Sequence, residues 1–322
     1  MAELRHRTVE TNGIRMHLAE QGEGPVVLLC HGFPESWYSW RHQLPALAAA
    51  GYHAVAPDMR GYGQTDRPEA VEAYTQLHHV GDMVGVLDAI GAKTGVIVGH
   101  DWGAPVAWHA GLLRPDRFRA VAALSVPFTP RGDIRPTEGL ARAAGDSFMY
   151  MLYFQTPGVA EAELERDVPS TIRRVLHGIS GQASATGGWH VPKPQGSTFL
   201  EGMPEPARLP AWLTAADVDF YASEFARTGF RGGLNWYRNL DRTWEMTGPW
   251  RGAQVTVPAL FIAGDRDPVI ARTRKAVDAL KTNVPRLSKS VILEGCGHWT
   301  QQERPREVNE ELVAFLRSLG PA

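Results

Sequence analysis

The 322-residue chain predicts an α/β fold: a mostly parallel central sheet with helices on both faces, interrupted by an inserted helical lid. Three observations carry that expectation. Short apolar runs alternate with amphipathic ones up to about residue 126, the pattern of parallel strands joined by crossover helices. The same alternation resumes near residue 258. Between them lie aromatic-rich, helix-like pieces without strand periodicity. The expected division is a core of residues 1–128 and 243–322 and a lid of residues 129–242.

The elements follow in order. Residues 7–10 and 14–20 flank Thr11-Asn12-Gly13, a hairpin signal. Residues 26–30 form an apolar run that reads as a strand buried on both faces. A helix is expected over 44–50, a strand over 54–56 ending at Pro57-Asp58, and a helix over 77–90. The strand 96–98 passes directly into a helix over 104–113, and 120–126 is the next strand. In the lid, helices are expected over 148–154, 162–167, 171–177, 215–228 and 234–240. The Gly/Pro-rich stretch 187–210 reads as a surface loop shaping a pocket mouth. Strands over 258–263 and 290–293 and helices over 269–280 and 307–316 complete the core.

Composition narrows the class. A hydrophobic content of 43% suffices for one substantial core plus an insertion. A net charge of −2 without a basic block argues against a nucleic-acid surface. No apolar run has the length of a membrane span, and the first residues lack the apolar centre of a signal peptide, so a soluble cytoplasmic chain is expected. Cys30 and Cys296 end apolar runs and read as buried, reduced thiols. No internal repeat is present.

The chemistry starts at Gly99-His100-Asp101-Trp102-Gly103, where strand turns sharply into helix. Such an elbow pushes one side chain into a pocket, and its usual occupant is serine. Here it is Asp101. A carboxylate with an ordinary pKa of about 3.9 is already ionised at neutral pH. Its attack on a substrate carbon would leave an ester of the enzyme. Water must break that ester, which needs a base, a group to orient the base, and donors for the oxyanion. His298, after two glycines at a strand end, is the expected base. Asp267 in Gly264-Asp265-Arg266-Asp267 is the expected orienting acid, with Asp265 holding its loop. The backbone N–H groups of Trp102 and Phe33 are the expected oxyanion donors. His31 and His100 read as structural.

In these residues the chain resembles the soluble epoxide hydrolases of the α/β-hydrolase superfamily over nearly its whole length. The segment from His31-Gly32-Phe33-Pro34-Glu35 to Arg41, the block Asp58-Met59-Arg60-Gly61-Tyr62-Gly63, the elbow and Cys296-Gly297-His298-Trp299 carry the likeness. It implies two lid tyrosines that donate to the epoxide oxygen. They are Tyr150, in Tyr150-Met151-Leu152-Tyr153-Phe154-Gln155, and Tyr237, in Asn235-Trp236-Tyr237-Arg238. Tyr153 lies one helical turn from Tyr150 and competes for that face. Phe33, Trp102, Met151, Trp236 and Trp299 are expected to wall an apolar pocket for lipophilic epoxides. The implied partners are a small epoxide and water, with no cofactor, no metal, no nucleic acid and no membrane span; a homodimer is left open.

Two other readings differ in class. A haloalkane dehalogenase would share the aspartate elbow and use the Trp102 indole for halide, but Phe33 offers no side chain as a second donor. A non-catalytic binding protein would predict loss of Asp101, Asp267 or His298, and all three are present.

Overall fold

The computed structural model describes residues 3–185 and 193–320. Eight strands form one sheet: β1 (Arg5–Thr11), β2 (Ile14–Gln21), β3 (Val26–Cys30), β4 (His53–Pro57), β5 (Gly95–His100), β6 (Phe118–Leu124), β7 (Ala259–Gly264) and β8 (Leu287–Leu293). Their order is β1-β2-β4-β3-β5-β6-β7-β8. The β1–β2 and β2–β4 pairs are antiparallel, and every later pair is parallel. The expected α/β fold is therefore present. The β1–β2 hairpin turns on Asn12 and Gly13, both at positive φ (45° and 78°), as a type I′ turn requires.

Strands β3, β5 and β7 are buried at every position, which explains their unbroken apolar runs. Alternate side chains feed two cores. Leu28, Ile97, Val121 and Phe261 pack on one face with Met83 and Trp108, while Val27, Val98, Ala122 and Ile262 pack on the other with Leu44, Leu312 and Phe315. Edge strand β8 starts earlier than the signal at 290–293 showed, because Ser288 and Lys289 interrupt the apolar run. Lys289 pairs with Glu311 at 2.5 Å, and a charged edge resists pairing with another chain.

The helix expected over 269–280 breaks. Thr273 is non-helical (φ −102°, ψ 18°), and its Oγ1 donates to the Val269 carbonyl at 2.8 Å, a back-bond that bends helices. The chain continues as Pro268–Asp278 and Leu280–Asn283.

Between Leu124 and Ala259 the described residues hold helices and one isolated bridge, Ser147 to Pro194, but no strand. Sequence periodicity missed Pro136–Ala144 here. It also placed one helix too late. The observed helix is Val159–Leu164, because Asp167 caps the next helix, Val168–Gly178, accepting from the Ser170 amide at 3.0 Å. The single helix expected over 234–240 is two, Arg231–Arg238 and Leu240–Met246. Asn239 separates them by donating its side-chain amide to the Asn235 and Val71 carbonyls (2.8 and 2.6 Å). The surface loop expected over 187–210 lies outside the described residues at 187–192; residues 193–210 carry no helix or strand. Among the described residues no helix is long and apolar enough to cross a membrane.

Candidate active site

Asp101 stands directly after β5, before the helix Gly103–Leu113. Its φ is +50°, a left-handed conformation that costs a non-glycine residue about 1 kcal/mol. The turn is tight because glycines admit close approach. A methyl group on Gly103 would collide with the Cys30 carbonyl, and one on Gly32 with the Asp101 carboxylate itself. With Gly32 bare, the Phe33 amide donates to Asp101 Oδ1 at 2.7 Å.

The other oxygen of Asp101, Oδ2, lies 3.3 Å from His298 Nε2. His298 Nδ1 is 3.0 Å from Asp267 Oδ2. The remaining oxygen of Asp267 accepts the Val269 amide at 2.8 Å, capping the helix Pro268–Asp278. Asp267 is thus locked in rotamer and aimed at the imidazole. Burial works to lower the His298 pKa, but the charges and hydrogen bonds of Asp267 and Asp101 outweigh it and hold it well above the ordinary value. For Asp101, burial raises the pKa, while His298, His100 and the Phe33 amide pull it below the usual range. Asp265 holds its loop, accepting from the Gly295 amide at 2.7 Å.

Tyr150 and Tyr237 border the cavity at Asp101, with ring centroids 5.9 Å apart. Burial, and then the negative charge of Asp101, raises both phenols, so both stay protonated. Tyr153 faces elsewhere and donates its hydroxyl to Glu163 at 3.0 Å. The tyrosine segments are tied to each other. Gln155 donates to the Tyr237 carbonyl at 2.9 Å, and Arg238 donates to the Phe154 carbonyl at 3.0 Å.

The cavity at Asp101 holds about 40 Å³. Its apolar walls include Phe33, Val175, Ile179, Phe199 and Val269, with Arg272 at its edge. Of the expected walls, Phe33 is present, but Trp102, Met151, Trp236 and Trp299 are not among the described lining residues. The indoles have other partners. Trp299 is fully buried and donates to the Leu176 carbonyl at 2.7 Å. Trp236 stacks on His79 and donates to the Arg60 carbonyl at 3.1 Å. Met151 is partly buried and packs against the larger of the two hydrophobic clusters. Trp102 and Trp236 line a separate apolar cavity of about 350 Å³, and Trp102 meets Tyr237 edge-on at 5.0 Å.

Sequence reasoning passed over Glu35. This fully buried carboxylate accepts from the Gly32 amide (3.0 Å), His100 Nδ1 (2.8 Å), Gln301 (3.0 Å) and Gln302 (3.1 Å). His100 Nε2 lies 2.7 Å from the His298 carbonyl, which Ser125 Oγ also reaches at 2.8 Å. Glu35 therefore joins the oxyanion turn, the elbow and the histidine loop. Its signal was present: an acid in an aromatic-rich segment with Phe33, Trp37, Tyr38 and Trp40, where burial demands partners. His31 is structural as expected, accepting the Met59 amide at 3.0 Å. Both cysteines are free and buried. No group of three or more histidine, cysteine, aspartate or glutamate side chains among the described residues could hold a metal ion.

Comparison with known proteins identifies the family. Residues 25–305 match the family model of the alpha/beta hydrolase fold. The chain is 52% identical to epoxide hydrolase A of Mycobacterium tuberculosis over 97% of both chains. It is 46% identical to epoxide hydrolase 3 of Siraitia grosvenorii over 98% of this chain and 99% of the relative. Among solved structures, an epoxide hydrolase from an endophytic Streptomyces superposes with a TM-score of 0.95 at 53% identity, covering 98% of this chain and 96% of that one. Epoxide hydrolase A of Mycobacterium thermoresistibile gives 0.94 at 51% identity, over 99% and 100%. With an aspartate in the elbow, a histidine behind it and likeness that runs from end to end, the chain belongs to the epoxide hydrolases of the α/β-hydrolase fold.

Proposed function

We propose that the protein hydrolyses lipophilic epoxides to vicinal diols through a covalent ester on Asp101. The observation that carries this reading is the position of one carboxylate between two sets of groups. Its oxygens lie against the Phe33 amide and the His298 imidazole, and two protonated phenols border the same cavity. Asp101 attacks an epoxide carbon as its C–O bond breaks, while Tyr150 and Tyr237 donate to the epoxide oxygen; one phenol gives up its proton, so the oxygen stays on the neighbouring carbon as a hydroxyl and a tyrosinate remains. The carboxylate is then an uncharged ester.

That change activates the base. Before alkylation, two carboxylates hold the proton of His298. After it, one of them has lost its charge, so His298 gives its proton up more readily; that proton returns through solvent to the tyrosinate, and the neutral imidazole can then take one from water. Asp267 keeps Nδ1 protonated and Nε2 facing the ester. Water adds to the ester carbonyl, the amides of Phe33 and Trp102 receive the oxyanion, and the diol departs with an oxygen that came from Asp101.

A panel of epoxides from styrene oxide to epoxidised fatty acids, assayed beside brominated and chlorinated alkanes, tests the reading. Diol formation without halide release is expected. Halide release without diol would replace it with the dehalogenase reading, and saturable binding without turnover would replace it with the non-catalytic one.

A further inference from the structure

The loop after residue 192 forms no helix or strand at 198–203, yet Phe199 and Leu200 in it are buried. Backbone groups buried without secondary structure must find other partners, and here charged side chains supply them. The Lys193 ammonium donates to the carbonyls of Thr198 (2.8 Å), Phe199 (3.0 Å) and Glu201 (2.6 Å). Arg174 donates to those of Leu200 (2.6 Å) and Met203 (2.7 Å). Glu163 accepts the amides of Phe199 (3.0 Å) and Leu200 (2.9 Å). Burial pushes the Lys193 pKa down to about 8, so at neutral pH it keeps three N–H donors for three carbonyls.

What this clasp holds is a wall of the reaction cavity. Phe199 lines the cavity at Asp101. Its ring lies 5.9 Å from that of Tyr150 and 4.9 Å from that of Phe154. Lys193 does not line the cavity at Asp101; its ammonium gathers the turn and also lies over the Phe148 ring, 4.7 Å from its centroid. We propose that Lys193 is a positioning residue for substrate selectivity: by binding three carbonyls of the 198–201 turn it seats Phe199 beside Tyr150, and so limits the bulk of the epoxide substituent that fits there. Removing the ammonium leaves three carbonyls, that of Phe199 buried, to find other donors, and the turn moves with its phenylalanine.

This inference rests on the proposed epoxide reaction, and the two fail separately. The experiment compares wild type, Lys193→Met, Phe199→Ala and the double variant on 1,2-epoxybutane and trans-stilbene oxide. If wild type forms no diol from any epoxide, the reaction itself is wrong. If it does, Lys193→Met should shift the ratio of kcat/KM values toward the bulky epoxide by about fivefold or more, mainly through KM. Phe199→Ala should shift it in the same direction. The double variant should then match Phe199→Ala within about twofold, because both changes act through one ring. Lys193→Gln, which keeps two donors, covers the case of an unfolded Lys193→Met and should shift the ratio the same way. Equal losses on both epoxides, additive effects in the double variant, or an unchanged ratio in a folded Lys193 variant would overturn the proposal.

Discussion

The two halves of the site are held by different means. On the core side, Asp101 follows β5 directly, Asp267 caps the helix after β7 at its second carboxylate oxygen, and His298 sits on the loop after β8. Parallel strands fix where each segment ends, and the buried carboxylate of Glu35 cross-links the turns between them. On the lid side, Tyr150 and Tyr237 stand on short helices, and Phe199 on a stretch with no regular structure. There the framework is made of side chains reaching distant backbone: Gln155 to Tyr237, Arg238 to Phe154, Lys193 and Arg174 to the 198–203 turn. A sheet can carry fixed nucleophile and base geometry, whereas ties of this kind can be altered one at a time. In the proposed reaction, ester hydrolysis falls to the groups carried by the sheet, and substrate fit and protonation to those carried by the inserted segment.

The sharpest way to break this division is to disable one half and ask whether the other still works. His298→Gln should reduce kcat by about 10³–10⁴-fold while leaving alkylation intact. Rapid quenching should then find one equivalent of esterified enzyme and almost no turnover. Failure to form the ester would show that the halves are not separable. The converse change is Tyr150→Phe with Tyr237→Phe. Each alone should slow alkylation by about tenfold to a hundredfold, and the pair by about 10³-fold. Single-turnover ester formation measures this, and a fully active pair would remove the tyrosines from the mechanism.

A smaller effect tests the core's cross-link. Burial raises the pKa of Glu35, yet His100, the Gly32 amide and His31 pull it below the ordinary carboxylate value. Its stabilising contribution is present above the unfolded pKa and is lost as the pH falls through the lowered folded value. Glu35→Gln should therefore cost about 3 kcal/mol at neutral pH, and the gap to wild type should narrow as the solution is acidified below the carboxylate range. Denaturant melts across that range check this; a gap independent of pH would contradict it. The smallest effect is expected from a lid tie. Gln155→Leu should cost about 1 kcal/mol and raise KM more than it lowers kcat, whereas a loss confined to kcat would argue that Tyr237 is not moved.

How much could be read from the sequence follows the same division. Asp101, Asp267 and His298 were legible because each stands where an apolar strand run ends, so local pattern predicts position. The tyrosines were legible only through resemblance, since their helical spacing alone would place them in a core. Phe199 and Lys193 gave no local signal: they meet the site through contacts between carbonyls and an ammonium that no periodicity encodes. Trp236 and Trp299 do not line the cavity at Asp101; their indoles donate to the Arg60 and Leu176 carbonyls. Helix boundaries moved at Asp167 and Asn239, and a helix kinked at Thr273, where polar side chains bond the backbone.

The central claim is that an Asp101 ester lies on the path, and oxygen tracing tests it most directly. A single turnover with enzyme in excess, run in water labelled with oxygen-18, should release unlabelled diol and leave the heavy oxygen in the peptide that contains Asp101. Label in the diol, with that peptide unchanged, would mean that water attacks the epoxide itself and that no such ester forms.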